Sequence, residues 1–521
     1  MSNVAKATIG LMVATILSKI LGFARSVVLA SSYGAGIYSD AYLIAMNIPL
    51  VIVASIGAAI TTTFIPVYSS VDSNLGEKEA LKFTNNILNI VLLFSLLLTI
   101  IGIVFVEPLV KLFAFGLGEK AFKIAVKFTR ILLISLLFSG ISFVITAYLQ
   151  VKGKFTITGL ITIPRNLIII ISTILSVKFG PYVMVWGTLI GLATDVLFMV
   201  PYAATNGYTY GSYINLKDKN FKKTMYLLGP IFIGVAVNQL NTMIDRALAS
   251  TLAEGSISAL NYANKLNVFV MALFISSISV VVYPMLSKLS NKSDKDEFIK
   301  VVVQSINSII LLIIPISVGA IMLAKPIVKI LFQRGAFDER ATTMTAISLI
   351  MYSLGMIAFG LREVLGKIFY SLQDTKTPMK NGIIAVILNI ILNIILVNYM
   401  KYAGLALATS ISAMLCILLL FNSLRKKIGY FGQDCIIKTT LKSLISAIVM
   451  GIVTYSIYMY LGSILNKGFI EEFIVLFCSV IIGAITYAIV SLLLKIEEVQ
   501  IISIAIKDKF NKNRSNKLEN N

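Results

Sequence analysis

The sequence predicts an all-α polytopic membrane protein of about fourteen transmembrane helices, arranged as two parallel six-helix lobes around a central cavity, with two further helices at the C-terminal end. Three observations predict it. Hydrophobic residues make up 58% of the 521 positions, charged residues only 13%, and mean hydropathy is +0.90, whereas soluble domains carry roughly 25% charged residues. Apolar stretches of the ~20 residues that a bilayer requires recur along the chain. The chain also repeats itself.

Taken in order, the spans begin near 7, 41, 84, 124, 157, 181, 224, 257, 301, 342, 379, 402, 443 and 470. The first follows Lys6 and resembles a signal peptide in position. It is too long for one, Lys19 and Arg25 interrupt it, and it lacks a small-residue cleavage site, so it reads as a retained span. Spans one to six form an N-lobe over 1–204, and 205–223 is a linker. Spans seven to twelve form a C-lobe over 224–424, spans thirteen and fourteen occupy 425–495, and 496–521 is a tail.

The repeat supports this division. FIPVYS at Phe64 to Ser69 parallels VYPMLS at Val282 to Ser287, and EPLVK at Glu107 parallels KPIVK at Lys325, both displaced by 218 residues. Leu149-Gln150 and Gly159 match Leu372-Gln373 and Gly382 at 223, as one loop insertion would produce. With an even number of spans in each half, both copies enter the membrane from the same side.

Charge then orients the spans. Lys78, Lys82, Lys152, Lys154, Lys217, Lys219, Lys222, Lys223, Lys288, Lys292, Lys295, Lys300, Lys376, Lys380, Arg425, Lys426 and Lys427 fall on one side. Lys111, Lys120, Lys123, Lys178, Lys325, Lys329, Arg334, Arg340, Lys401 and Lys467 fall on the other. The richer side is cytoplasmic by the positive-inside rule, which puts both termini inside. The basic, Asn-rich stretch from Lys507 to Asn521 has no apolar face and reads as a disordered or headgroup-associated tail.

The same bias accounts for the net charge of +21, so nucleic acid is not implied. Cys416, Cys435 and Cys478 have no CxxC spacing, and the chain contains no His. Disulfide frameworks, His-based metal sites and His general bases are thereby set aside, and no loop carries the carboxylate cluster that a membrane glycosyltransferase would need.

An ionisable group at mid-bilayer costs at least ~2.5 to 3.5 kcal/mol on insertion scales, so each one points to a cavity or a partner. Lys19 and Arg25 in span one lie six residues apart, about 120° short of two turns, so both can border a broad cavity. Ser18 and Gly22 give the same helix a small-residue face. Asp40 opens span two, as a helix cap or as a functional carboxylate. Span seven carries Asn238, Gln239, Asn241 and Asp245 beside Arg246, and span eight carries Asn261, Asn264, Lys265 and Asn267. Asp195 in span six and Arg362, Glu363 and Lys367 in span ten complete the set, the last three able to pair locally. Lys19, Arg25 and Lys265 have no opposite charge within a turn of their own span. They call for an anion, and a diphosphate suits clustered Lys and Arg, although ion pairing across the lobes with Asp40 or Asp245 would also satisfy them.

Several strings, in this order, resemble the MviN/MurJ group of lipid II flippases, within the multidrug/oligosaccharidyl-lipid/polysaccharide exporter superfamily. They are SKILGFAR at Ser18 to Arg25, YGAG at Tyr33 with Ser39 and Asp40 after it, FIP at Phe64, GSIS at Gly255 leading to YANK at Tyr262, LFQRGAF at Leu331, and FYSLQDTKTP at Phe369. The resemblance implies a fourteen-helix fold with a cavity for an undecaprenyl-diphosphate-linked peptidoglycan precursor. It places substrate-contacting cations at Lys19, Arg25 and Lys265, with Ser18 and Asp40 beside them. This chain departs from the family at two positions: where the family has its second-helix arginine stand Val53 and Ala54, and where an acidic residue usually follows Arg25 stands Ser26. Some members have a sodium site, whose spacing fits Asp245, Asn389, Asn393, Thr409 and the Leu405 carbonyl.

The function expected is therefore non-enzymatic: alternating-access translocation of lipid II from the inner to the outer leaflet of the bacterial cytoplasmic membrane, by a monomer among membrane lipids. No cofactor is expected, with Na+ a possible coupling ion. A flippase for another polyprenyl-diphosphate glycan, a teichoic or capsular precursor, is the alternative that the missing arginine favours. A cation-coupled multidrug exporter would prefer carboxylates and aromatics where Lys19 and Arg25 stand.

Overall fold

The computed structural model describes residues 3–290, 295–465 and 468–500, with backbone alone at 3–13, 55, 58, 59, 229–234, 238 and 276–281. The tail from Lys507 to Asn521, together with Lys292 and Lys467, lies outside the described residues. Eighteen α-helices are described: α1 Asn3–Tyr33, α2 Ile37–Leu75, α3 Glu77–Val104, α4 Val106–Phe113, α5 Glu119–Leu132, α6 Ser135–Val151, α7 Phe155–Leu160, α8 Thr162–Phe179, α9 Tyr182–Thr205, α10 Lys219–Ala249, α11 Ser256–Ser290, α12 Lys295–Met322, α13 Ala324–Phe332, α14 Glu339–Leu354, α15 Met356–Ser371, α16 Lys376–Ile428, α17 Gln433–Ile464 and α18 Phe469–Leu493.

Among the described residues, nine helices are long and apolar enough to cross a membrane, or up to eleven if each of two bent pairs is one span. The longest, α16, has 53 residues and would reach ~80 Å at 1.5 Å per residue, more than twice the ~30 Å hydrocarbon core. It breaks at Lys401, whose backbone takes φ 51° and ψ −131°, so it holds two crossings that meet where the twelfth span was expected to begin.

The repeat survives as structure. The short helices α4 and α13, not distinguished in the sequence, begin at Val106 and Ala324, 218 residues apart, and each precedes a bent pair, α5/α6 at 42° and α14/α15 at 45°.

The chain divides into two compact units. One comprises Met1–Lys265, Phe332–Ala341 and Asn393–Tyr402, and the other Leu266–Leu331, Thr342–Leu392 and Ala403–Asn521. The core of the first is aromatic where α2, α3 and α6 meet. Phe64 stacks on Phe83 with ring centroids 5.5 Å apart, and Tyr68 meets Tyr148 edge-on at 5.9 Å. The connection after α9 is bound along α3: Asn85 Nδ2 donates to the Thr209 carbonyl, Asn86 bonds both backbone groups of Asn215, and Asn89 Nδ2 donates to Gly211 and Tyr213. The core of the second unit is aliphatic. Ile306, Ile309, Ile310 and Ile313 recur at helical spacing on α12 and bury with Val364, Leu365 and Ile368 of α15.

Close helix approach depends on small residues, as it must in lipid. A Cβ on Gly187 of α9 would stand 2.0 Å from the Ser172 side chain of α8. Gly187→Val is expected to destabilise the protein by roughly the 1 to 3 kcal/mol of overpacking. Size-exclusion survival after heating measures the loss, and Ser172→Gly in the same chain should recover part of it.

At the turn before α16, Asp374 Oδ1 accepts from the Thr377 backbone N–H at 3.0 Å, and its Oδ2 accepts from Thr377 Oγ1 and Lys427 Nζ at 2.8 and 2.7 Å. Partial burial pushes the carboxyl pKa up, but the Lys427 bond and the two from Thr377 outweigh it, and the carboxyl is held at about 2. A depressed carboxylate stabilises above its unfolded value near 4 and ceases to do so as the pH falls through about 2. Asp374→Asn should therefore lower the unfolding temperature at pH 7, by a difference that shrinks between pH 4 and pH 2.

Candidate functional site

Within the first unit a cavity of about 300 Å³ opens among α1, α2, α6 and α8 to α11. Its charged lining is Arg25 from α1, Arg246 from α10 and Lys265 from α11, and among the described lining residues there is no Asp or Glu. Hydroxyls and amides fill the gaps, including Tyr42 and Asn47 of α2 and Ser135 and Ser139 of α6. Asn261, Asn264 and Lys265 reach the cavity together because residues at i, i+3 and i+4 share one helix face.

Arg246 Nη2 donates to Asn261 Oδ1 at 3.1 Å. Lys265 lies within electrostatic range of both Arg25 and Arg246. Outside the lining, Arg165 of α8 has its own counter-ion, donating from Nη1 to Asp195 Oδ2 at 2.6 Å. The cavity thus concentrates positive charge at membrane depth and can neutralise it with an anion that enters.

Arg25 and Lys265 are brought together as the sequence predicts. Lys19, 120° around α1 from Arg25, is partly exposed and does not line this cavity. Ser18 Oγ donates to the Gly159 carbonyl of α7 at 2.9 Å, a packing contact between helices. Val53 lines the cavity as an apolar wall.

Asp40 is buried and caps a helix, though not its own. Gly255 precedes the first turn of α11 and has no side chain to offer its N–H groups. Asp40 supplies one from α2: Oδ2 accepts from Gly255 N at 2.8 Å, and Oδ1 accepts from Ser258 N at 2.8 Å and from Ser258 Oγ. The reverse contact is present too. Gly36 occupies the cap of α2, and Glu254 Oε1 accepts from Ile37 N at 3.0 Å. The two helix starts cap each other, with Gly255 held at φ +87° so close that a Cβ would lie 2.3 Å from the Ala35 carbonyl oxygen.

The five residues of the expected sodium site fall into two groups. In the first unit Asp245 Oδ1 accepts from Asn393 Nδ2 at 2.6 Å, and Asn241 Nδ2 approaches Oδ2 at 3.5 Å. In the second, Thr409 Oγ1 donates to the Leu405 carbonyl at 3.0 Å, with Asn389 Nδ2 3.5 Å from Thr409 Oγ1. On α15, Lys367 pairs with Glu363 at 3.7 Å, the local pairing open to it from sequence.

Sequence reasoning missed Arg246. It stands beside Asp245 and reads as its partner, yet successive helical residues point about 100° apart, and here Arg246 lines the cavity while Asp245 bonds Asn393. No spacing within one helix could have found it, because Arg246 lies on α10 and Asn261 and Lys265 on α11.

The family profile described as lipid II flippase MurJ matches residues 29–478. A Buchnera aphidicola protein named "Probable lipid II flippase MurJ" is 30% identical over 495 residues, covering 93% of this chain and 96% of its own. A Vibrio cholerae protein of the same name is 32% identical over 427 residues, covering 79% and 81%. The solved structure "Lipid II flippase MurJ, inward closed conformation" superposes with a TM-score of 0.80 at 29% identity, covering 92% of this chain and 97% of that one.

Proposed function

Since the chain belongs to the MurJ family of lipid II flippases, we propose that the cationic cavity is where it receives the diphosphate of lipid II on the way from the inner to the outer leaflet. The observation that carries this reading is the lining itself, with Arg25 and Lys265 in one cavity and no acidic residue among the described lining. A diphosphate diester carries two negative charges and accepts both the fork of an Arg and the point charge of a Lys. No bond is made or broken. The headgroup enters from the cytoplasmic side, the polyprenyl chain stays in lipid, and the cavity then opens to the other leaflet.

Release needs weaker attraction in the outward state, since a ligand shifts a conformational equilibrium only by its differential affinity. Return of the emptied cationic groups is favoured by the membrane potential, at ~2.3 kcal/mol per charge per 100 mV. The basic bias of the loops supports cytoplasmic termini, and one chain suffices for the cycle, so the protein works as a monomer.

Coupling to Na+ is a further part of the reading, and Asp245 is its anchor. The Oδ1 of Asn241 is buried beside it without a hydrogen-bond partner, an oxygen of the hard type that Na+ takes. Asn241 and Asn393 now turn amide nitrogens to the carboxylate, and flipping them would present oxygens to an ion.

Native mass spectrometry of the detergent-extracted protein with lipid II and with teichoic and capsular undecaprenyl-diphosphate glycans tests the substrate. Preferential retention of lipid II is expected. Retention of another glycan in its place, with lipid II lost, would overturn the assignment.

A further inference from the structure

The helices α8 and α9 turn Thr173 and Leu192 to the cationic cavity, and between their exposed faces they leave a second hollow of about 370 Å³. We propose that this apolar groove is a binding site for an anionic phospholipid of the outer leaflet, one acyl chain lying in the groove and the phosphate resting at its basic mouth. The proposal is independent of the headgroup reading above.

The floor of the groove is Ser172 of α8 and Gly187 of α9, packed so closely that a Cβ on Gly187 would stand 2.0 Å from the Ser172 side chain. Larger side chains flank this small pair, Ile168, Ile171 and Leu175 on one wall and Tyr182, Trp186 and Ile190 on the other. Ser172 Oγ donates to the Ile169 carbonyl at 3.0 Å, so the one hydroxyl of the floor is already bonded within its own helix. From Tyr182 to Ile190 the wall runs eight residues, or ~12 Å of helix, most of the ~15 Å that one leaflet contributes to the hydrocarbon core. A furrow of that length and lining takes a hydrocarbon chain, because packed methylenes restore the dispersion contacts that an unfilled furrow forfeits.

One end of the groove is basic. Ile168, Ile171, Leu175 and Lys178 follow one another at i, i+3, i+7 and i+10, so Lys178 continues the α8 wall beyond its last apolar residue. Lys178 is exposed, with Nζ 5.5 Å from the centroid of the neighbouring Phe179 ring, and no Asp or Glu occurs between Gly153 and Thr194. Tyr182, at the same end, meets Phe128 of α5 edge-on at 5.5 Å. Around Phe128, α5 exposes Lys120, Lys123, Lys127 and Arg130, again at i, i+3, i+7 and i+10, of which Lys123 pairs with Glu119 at 2.5 Å.

Neither the repeat nor the topology accounts for these cations. In α14, counted from Glu339 as α5 is from Glu119, the same positions hold Arg340, Thr343, Ile347 and Ile350. Lys120, Lys123 and Lys178 also fall on the side that the charge bias of the loops marks as outer, where basic residues are disfavoured. A phosphodiester monoanion complements them, since each Lys or Arg near an anionic lipid surface raises the attraction by about fivefold. A zwitterionic headgroup carries its own cation and gains less.

Trp186 is the single tryptophan of the chain and stands in the groove wall, so its fluorescence reports what lies there. The test reconstitutes the full chain in phosphatidylcholine vesicles containing a minor fraction of either phosphatidylglycerol or phosphatidylcholine brominated on its acyl chains. At equal mole fraction, brominated phosphatidylglycerol should quench Trp186 about twofold more than brominated phosphatidylcholine. Lys178→Gln should remove about half of that excess, the further changes Lys127→Gln and Arg130→Gln should abolish it, and Lys178→Arg should keep it. Leu175→Phe, which fills the groove and leaves every cation in place, should abolish it as well.

Equal quenching by the two lipids in wild type would overturn the proposal, and that comparison needs no variant to fold. So would an excess that survives in the triple variant. Loss of the excess on adding an undecaprenyl-diphosphate-linked sugar, at the mole fraction of the phosphatidylglycerol, would also overturn it and give the groove to the transported lipid.

Discussion

Arg25→Ala is expected to abolish growth when this chain is the sole flippase in a cell depleted of its own. Arg25 reaches the cavity from α1 and shares it with Lys265 and Arg246. A charge-assisted hydrogen bond in such a site contributes ~1.5 to 3 kcal/mol, about ten- to 150-fold in headgroup affinity, and a substrate that does not seat cannot shift the conformational equilibrium that moves it. Lys265→Ala should fail in the same assay, whereas Arg25→Lys should rescue partially because it keeps charge and loses the planar fork. Membrane abundance of each variant, read by immunoblot, separates lost transport from lost protein. Full growth of well-expressed Arg25→Ala would remove the cavity from the transport path.

Asp40→Ala is expected to have the second large effect, by a different route. It removes three hydrogen bonds at once, from Gly255 N, Ser258 N and Ser258 Oγ, at a carboxylate that is buried. Each buried donor left unmade costs ~1 to 3 kcal/mol, and the first turn of α11 also loses the negative charge that complements its helix dipole. The unfolding temperature in detergent should fall by about 5 °C or more, on a scale of 2 to 4 °C per kcal/mol for larger domains.

Asp40→Asn keeps one oxygen acceptor and should fall between. Glu254→Ala, which removes the exposed reciprocal bond to Ile37 N, should cost far less. Equal melting of Asp40→Ala and wild type would show that the reciprocal caps do not hold these helix starts.

The sequence alone determined the solvent of this protein and much of its architecture. Fifty-eight per cent hydrophobic residues in runs of bilayer length admit only helices, because lipid offers the backbone no hydrogen bonds. Among the described residues nine helices, or up to eleven with each bent pair as one span, are long and apolar enough to cross, and the break in α16 at Lys401 falls where the twelfth span was expected to begin. The 218-residue repeat recurs in the starts of α4 and α13, and the cost of charge in lipid singled out Lys19, Arg25 and Lys265, of which Arg25 and Lys265 line one cavity.

Tertiary structure decided what each polar group touches. Ser18 bonds the Gly159 carbonyl, a partner 141 residues away in the chain. Asp40 serves a helix that begins 216 residues later, and no local spacing encodes that, because the Gly255 it completes looks like an ordinary turn glycine. Arg246 and Asp245 are neighbours in sequence and diverge on the helix, one to the cavity and one to Asn393. Hydropathy reports whether a residue can afford to be in lipid, and it carries no azimuth. The direction a buried charge faces is set by the packing of helices distant in the chain, and that direction made three scattered cations one site.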